Sequence, residues 1–141
     1  MTFKGLKIFE LSAKLGGRTV LQDISFQLQE GNVLAVLGPS GCGKSTLLKI
    51  IAGIVEPTCG HITWGSVDIS KTPAHKRGVG LMFQNNALFP HMNVQENVRF
   101  GLEMLSVSKE EANDRTIDLL QLVGLKGYGN RAVDTLSGGE S

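Results

Sequence analysis

The sequence has few cysteines and histidines and almost no excess of charge. Its 141 residues carry 14 basic and 13 acidic side chains, so the formal net charge is +1. Such a balance predicts no polyanion-binding surface and argues against nucleic acid as a partner. Neither the cysteines nor the histidines have the spacing of a metal site, and the thiols suit a reducing compartment. These residues are Cys42, Cys59, His61, His75 and His91.

Long apolar runs are lacking as well. Residues 1–11 alternate polar and apolar side chains, unlike the unbroken apolar segment of a signal peptide. No stretch of about 18 apolar residues could span a bilayer, and the richest candidate, residues 47–55, is interrupted by Lys49. We therefore expect a chain that starts in the cytosol and that reaches a membrane only through a partner.

Glycine is plentiful, with 18 residues, and its most informative cluster is the segment GPSGCGKST. The segment follows an apolar run at 33–37 and precedes a helical pattern. Its spacing turns backbone N–H groups towards phosphate oxygens, and the positive end of the next helix adds to the attraction. Lys44 can reach β- and γ-phosphates, and Ser45 can offer its hydroxyl to Mg²⁺. The candidate phosphate-binding residues are Gly38, Pro39, Ser40, Gly41, Cys42, Gly43, Lys44, Ser45 and Thr46.

A glycine-rich turn that binds no ligand is the alternative interpretation of this segment. The agreement of three glycines, the lysine and the hydroxyl pair disfavours it, because both flanking elements are of the required kind. Thr46 could simply cap the first helical turn. Cys42 is expected to face solvent and needs no chemical role. Nucleotide is therefore the predicted ligand.

Alternating residues before and after this segment predict antiparallel strands. Leu6 and Ile8 alternate with lysines, and residues 24–28 show the same period of two, which is typical of half-buried strands. Residues 61–64 and 67–69 predict a further short hairpin.

Fully apolar runs predict strands of another kind. The run at 33–37 predicts a strand that is buried on both faces of a parallel sheet. The helix after Lys44 is expected to end at Gly53. Residues 78–83 predict another strand, whose end carries Gln84. The sequence thus indicates an α/β protein.

Two amphipathic helices are predicted in the second half of the chain. Asn93 and Glu96 have the spacing of a capping box at the start of the first helix. Ser108 and Glu111 repeat this spacing at the start of the second helix, which is expected to end at Gly124.

The last residues, 136–140, read Leu-Ser-Gly-Gly-Glu. Alone, they could be a flexible tail. Together with the phosphate loop, with Gln84 at a strand end and with the helices between them, they resemble the nucleotide-binding subunit of ATP-binding-cassette (ABC) transporters. The resemblance covers residues 3–141, and its most specific marks are residues 38–46, 83–84 and 136–140.

The resemblance implies a P-loop NTPase core of the RecA-like type, with an N-terminal antiparallel β subdomain and an α-helical insertion. The implied division places the β subdomain and P-loop core at residues 1–85, the helical subdomain at 86–135 and the start of the signature motif at 136–141. The core is expected to be incomplete at its C-terminus, because the family's magnesium aspartate, general-base glutamate and γ-phosphate histidine have no counterpart in the sequence.

By resemblance, the cofactors are ATP and Mg²⁺. Lys44 and Gln84 take catalytic roles, and Ser45 and Gln84 contact the metal, with Gln84 also touching the attacking water and sensing the membrane partner. Ser137, Gly138 and Gly139 would bind the γ-phosphate of a nucleotide held by a second, facing subunit.

The implied partners are transmembrane permease subunits, a solute-binding protein and a second copy in a nucleotide-dependent homodimer or pseudo-dimer, with no nucleic acid. The implied location is cytoplasmic and peripheral on the inner face of the cell membrane. Residues 77–83 and 87–91 look like the importer branch, whose members take up polyamines, sugars, ferric iron, sulfate or thiamine. Residues 87–92 would line the permease groove, although Leu88 and Phe89 could instead anchor the helical insertion.

Two further positions depart from the family pattern. Leu15 stands where an aromatic residue usually stacks on adenine, and Glu140 replaces the commoner glutamine. The expected function is the ATP-binding subunit of an importer, an ATPase that would be inactive as 141 residues alone. The alternative is an inactive nucleotide-binding fragment from a truncated reading frame. A small GTPase or P-loop kinase is disfavoured, because the sequence has no Asn-Lys-x-Asp motif.

Overall fold

The computed structural model describes residues 4–83, 88–105 and 107–140. The chain forms two compact units, residues 1–81 and residues 82–141. The first unit contains strands β1 (Gly5–Leu15), β2 (Arg18–Gln29), β3 (Cys59–Trp64) and β4 (Val67–Asp68) and helix α1 (Lys44–Ile51). The second contains helices α2 (Val94–Met104) and α3 (Lys109–Leu122).

The first unit is built on an antiparallel sheet with the strand order β2-β1-β3-β4. The alternating patterns at its N-terminus and in the β3–β4 hairpin are therefore confirmed as strands. Gly16 and Gly17 connect β1 to β2 with φ angles of 55° and 79°. A two-residue turn with two positive φ angles matches the twist of a hairpin and fixes its register.

The core of the first unit consists of side chains from the sheet and from α1. Leu11, Ile62 and Ile50 are fully buried, and Leu47 of α1 belongs to the same cluster. Burying a side chain of this size stabilises a fold by about 1.5–3 kcal/mol. This packing fixes the face that α1 turns to the sheet, and so it also fixes the direction of the helix N-terminus.

Two strand predictions are wrong. Residues 33–37 and 78–83 lie within the described part of the chain, yet neither run forms a strand. Val33 is 96% exposed and Met82 is 95% exposed. A strand that is buried on both faces needs a hydrogen-bonded neighbour, and no strand of the described residues pairs with either run. Apolar composition alone does not supply that neighbour.

The second unit begins with the capping box that the sequence predicts. Asn93 Oδ1 accepts the Glu96 N–H at 2.8 Å, and Glu96 Oε2 accepts the Asn93 N–H at 2.8 Å. At the start of α3, Ser108 Oγ accepts the Glu111 N–H at 3.2 Å. The chain after α3 turns at Gly124, where φ is 79°. Both helices therefore begin where the side-chain caps predict.

The two helices pack around a small apolar core. Val94, Leu120 and Val133 are buried, and Leu88 and Leu136 pack against them. These side chains line a groove of about 300 Å³. Among the helices of the described ranges, none has both the length and the apolar character that crossing a membrane requires.

Candidate functional site

The loop at 38–43 leads from the exposed apolar run into α1. Its backbone turns where the Cys42 N–H donates to the Pro39 carbonyl at 3.5 Å. Gly41 and Gly43 have φ angles of 80° and 93°, values that side-chain-bearing residues rarely adopt. Two of the glycines in the motif are therefore required by the conformation of the loop.

Gly43 is also required by its contact with the sheet. A Cβ atom at Gly43 would lie 2.5 Å from the Val20 carbonyl oxygen and 2.8 Å from Cδ2 of Leu21. Both neighbours belong to β2, so the end of the loop lies directly on this strand. The residue that precedes α1 is thereby held against the sheet, a contact that no sequence pattern reveals.

Lys44, the first residue of α1, extends its side chain back over the loop. Its Nζ donates to the Gly38 carbonyl at 2.8 Å and to the Pro39 carbonyl at 2.6 Å, and it lies 3.6 Å from Cys42 Sγ. No acidic residue occupies the first turn of α1. The first N–H groups of a helix have no acceptor within it, so this end combines the positive end of the helix dipole with an ammonium group. The arrangement suits a phosphate group.

Ser45 and Thr46 follow in the first helical turn. Ser45 is exposed, whereas Thr46 is half-buried. The N-cap position of α1 is occupied by Gly43, not by Thr46, and this end of the helix has no side-chain capping hydrogen bond. Among the described residues, no group of three or more His, Cys, Asp or Glu side chains could hold a metal. A Mg²⁺ ion at this loop would depend on the Ser45 hydroxyl, phosphate oxygens and water, a set that this ion accepts.

Leu15 lies at the end of β1, paired with Arg18 across the hairpin. Its side chain is 45% exposed. Because Val20 and Leu21 of the same hairpin contact Gly43, the hairpin borders the phosphate loop. The residue that the resemblance places against adenine, Leu15, is therefore aliphatic and exposed.

Residues 136–140 belong to the second unit. Leu136 packs against the apolar core, and a turn follows in which the Glu140 N–H donates to the Ser137 carbonyl at 2.9 Å. Glu140 Oε2 accepts the Ser137 hydroxyl at 2.7 Å and the Ser137 N–H at 2.8 Å. These two bonds, the hydroxyl bond first, lower the pKa of Glu140. The turn exposes Gly138 and Gly139, and the packing of Leu136 argues against a free tail.

The predicted site residues that the structure describes are thus distributed over two places. The nine residues at 38–46 form one loop and one helical turn in the first unit. Ser137, Gly138 and Gly139 form a turn in the second unit. Gln84 and Ala87 lie outside the described residues. The sequence did not predict a role for Arg77, whose guanidinium contacts the C-terminal end of α1.

The chain is similar to known proteins both in sequence and in fold. The sequence profile of the family described as "ABC transporter" matches residues 21–141. The Fe(3+) ions import ATP-binding protein FbpC of Streptomyces coelicolor is 49% identical over 129 residues, which cover 92% of this chain and 37% of that protein. The spermidine/putrescine import ATP-binding protein PotA of Spiroplasma citri is 42% identical over 135 residues, covering 96% of this chain and 39% of that protein.

A solved structure provides a similar fold. It is the ATP-binding cassette MJ0796 in a dimeric, post-hydrolysis state bound to ADP and Pi. The TM-score is 0.84 with 28% sequence identity, and the match covers 96% of this chain and 64% of that one. The α/β P-loop fold class is confirmed by this likeness. The chain spans 37% of the length of the FbpC relative and a little under two thirds of the solved chain.

Proposed function

The chain belongs to the ABC transporter family, and on that premise we propose that it is the ATP-binding part of an importer, in which ATP binding and hydrolysis drive solute uptake. The observation that carries the proposal is the loop at 38–43, which ends at the N-terminus of α1 beneath the ammonium of Lys44. The relatives support the importer branch, since they are named as import ATP-binding proteins.

In this proposal the first unit binds the phosphates. The N–H groups of the loop and of the first turn of α1 hold the phosphate oxygens, and Lys44 exchanges its two loop carbonyls for the β- and γ-phosphates. Ser45 would hold Mg²⁺, which supplies charge neutralisation and orients the terminal phosphate when it is bound. Gln84 would contact the metal and orient the attacking water. Leu15 would contact the base through an aliphatic surface.

The second unit contributes to a site in another copy of the chain. Ser137, Gly138 and Gly139 would bind the γ-phosphate of the nucleotide held by the facing subunit of a nucleotide-dependent dimer. The dimeric state of the similar ATP-binding cassette supports this arrangement. In this chain Glu140 accepts both donors of Ser137, so binding a phosphate there requires Ser137 to exchange a carboxylate partner for the nucleotide.

The proposed partners are transmembrane permease subunits and a solute-binding protein, with the chain on the cytoplasmic face of the membrane. The solute itself is unassigned, because the two kinds of relatives are named for Fe(3+) and for spermidine/putrescine. Selection of the solute is attributed to the permease and the solute-binding protein.

The test of this function is Lys44→Ala, with Lys71→Ala as a control. Both substitutions remove one lysine from the first unit, but Lys71 is an exposed residue of the turn after β4. A hydrogen bond to a charged group contributes roughly 1.5–3 kcal/mol, so Lys44→Ala should weaken ATP binding by about 10- to 100-fold. The measurement is a calorimetric titration of folded protein with MgATP. Equal affinities of the Lys44→Ala and Lys71→Ala proteins would refute the nucleotide site.

A further inference from the structure

We infer that Arg77 is a positioning residue for nucleotide binding: by holding the C-terminal end of α1, it fixes the helix whose N-terminal end carries Lys44 and Ser45. The inference rests on the proposed function of the phosphate loop. It assigns to Arg77 an effect on ATP affinity without any contact with the nucleotide.

The guanidinium of Arg77 donates through all three of its nitrogens to backbone carbonyls. Nη1 donates to Ile50 at 2.7 Å and to Ile51 at 3.0 Å, the last two residues of α1. Nη2 donates to Ser70 at 2.6 Å, and Nε donates to Thr72 at 2.6 Å. One side chain therefore joins the end of α1 to the turn that follows β4.

These contacts are made at the end of the helix where a cation is favoured. The last carbonyls of a helix have no donor within it, and they form the negative end of its dipole. Burial lowers the pKa of Arg77, an effect that the nearby carboxylate of Asp68 opposes. A guanidinium still keeps its charge at neutral pH. The hydrogen bonds are therefore charge-assisted and among the stronger ones available.

The backbone beside the guanidinium is shaped to admit it. Gly53 has a φ angle of 79° and follows α1 after the capping residue Ala52. A Cβ atom at Gly53 would lie 2.6 Å from Nε of Arg77 and 2.9 Å from its Cζ. A side chain at this position would displace the guanidinium. Glycine at position 53 therefore leaves the space that Arg77 occupies.

The opposite end of α1 adjoins the phosphate loop. Gly43 lies against the Val20 carbonyl of β2, directly before Lys44. The helix has only eight residues, a length of about 12 Å, so a shift at one end is transmitted to the other. A displacement of about 1 Å in a binding group can cost up to about 100-fold in function. Loosening the Arg77 end of α1 should therefore misplace the groups that bind phosphate.

The first experiment compares Arg77→Lys with the wild-type residue in the full chain, with and without Lys44→Ala. Lysine keeps the charge but lacks the planar fork that reaches four carbonyls at once. We expect Arg77→Lys to weaken MgATP binding by about 5- to 10-fold, and by less than about twofold when Lys44 is already alanine, because coupled residues are non-additive. Arg115→Lys, in an exposed pair with Glu111 on α3, should leave the affinity unchanged.

The outcomes separate the inference from the function on which it rests. Equal losses in both backgrounds, or no loss from Arg77→Lys, would overturn the positioning role while leaving the nucleotide site intact. A Lys44→Ala protein that binds ATP normally would instead overturn the proposed function. Affinities are expressed per folded molecule, so that loss of stability alone does not count as support.

A second measurement needs no substitution. If Arg77 promotes ATP binding, ATP must stabilise the contacts of Arg77 to the same extent, because coupling is reciprocal. We expect MgATP to slow solvent exchange of the Arg77 Nε–H, observed by nitrogen-15 NMR of the wild-type chain, by several-fold or more. Exchange that is unchanged at saturating MgATP would overturn the inference even if the Arg77 variants fail to fold.

Discussion

At the scale of single residues, the motif at 38–46 predicts some of the contacts in the phosphate loop and not others. The motif predicts that Lys44 reaches the loop, and the ammonium lies over the Gly38 and Pro39 carbonyls. The motif does not reveal why Gly43 must lack a side chain. One reason is the Val20 carbonyl of β2, a partner 23 positions earlier in the sequence, which only the fold brings to the loop.

Leu15 provides the prediction that belongs to this scale. The side chain is 45% exposed, and it lies in the hairpin that borders the phosphate loop. An aromatic contact adds about 0.5–1.5 kcal/mol beyond area burial, so Leu15→Tyr should tighten ATP binding by about 2- to 10-fold. The measurement is a competition between ATP and GTP on the wild-type and variant chains.

Leu15→Ile is the matched control for this change, because it keeps an aliphatic side chain of the same size. We expect wild type and Leu15→Ile to discriminate weakly between the two bases. If Leu15→Tyr leaves both affinities unchanged, the base does not lie on Leu15 and the alignment of that position is wrong.

At the scale of elements, the sequence predicted a helix or strand correctly where the residues that stabilise it are close in the sequence. The Asn93 and Glu96 pair predicts the start of α2, because each caps the other within four residues. The apolar runs at 33–37 and 78–83 failed as strand signals, because a strand is stabilised by neighbours that may come from anywhere in the sequence. An apolar run indicates that its side chains are more stable when buried, but it does not identify the element that would bury them.

The segment that leads into α2 is held by one side chain of that helix. Asn97 Oδ1 accepts the Phe89 N–H at 2.8 Å, and its Nδ2 donates to the Met92 and Asn93 carbonyls at 3.1 and 2.9 Å. Leu88 packs against the apolar core, whereas Phe89 is 36% exposed beside Phe100. The two neighbouring residues therefore differ: Leu88 anchors the segment and Phe89 presents a ring to its surroundings.

This difference leads to a prediction about coupling to the permease subunits that we propose as partners. In the complete transporter, Phe89→Ala should reduce solute uptake by about tenfold or more if Phe89 is one of the few interface residues whose truncation costs about 2 kcal/mol or more. ATP affinity should change by less than about twofold. Uptake into vesicles and MgATP titration are the two measurements.

Leu88→Ala is the comparison for Phe89→Ala. Removing an anchoring leucine leaves a cavity and costs about 2–5 kcal/mol of stability if the site is well packed. Leu88→Ala should therefore lower the melting temperature, with parallel losses of uptake and binding. Parallel losses in the Phe89→Ala protein as well would show that Phe89 is only a structural anchor.

At the scale of the whole molecule, the described surface combines a phosphate loop with unusual apolar exposure. Val33 and Leu37 precede the loop and are 96% and 89% exposed, and Met82 is 95% exposed. Exposed apolar runs of this kind mark surfaces that another element or molecule covers. The backbone of these runs also forms no strand pairing with the described residues.

The last prediction concerns the 141 residues as an isolated polypeptide. Natural domains have only about 5–15 kcal/mol of stability, and the runs at 33–37 and 78–83 add no buried strand to the core of this polypeptide. We expect a broad melting transition that MgATP shifts upwards, because a ligand at 100 times its dissociation constant adds about 2.7 kcal/mol. We also expect no ATP turnover above that of Lys44→Ala, since the general-base glutamate of the family has no counterpart in these 141 residues, and a general base typically contributes about 10²–10⁴-fold.

Phosphate release and thermal melting of the purified polypeptide check this prediction together. The Lys44→Ala protein is the control for both, because it should lose the upward shift with MgATP while keeping the same runs at 33–37 and 78–83, which form no strand. A sharp transition without nucleotide would mean that these runs do not weaken the fold. Turnover above the control would mean that a carboxylate elsewhere in the chain reaches the loop, and substituting the 13 acidic residues one at a time would then identify it.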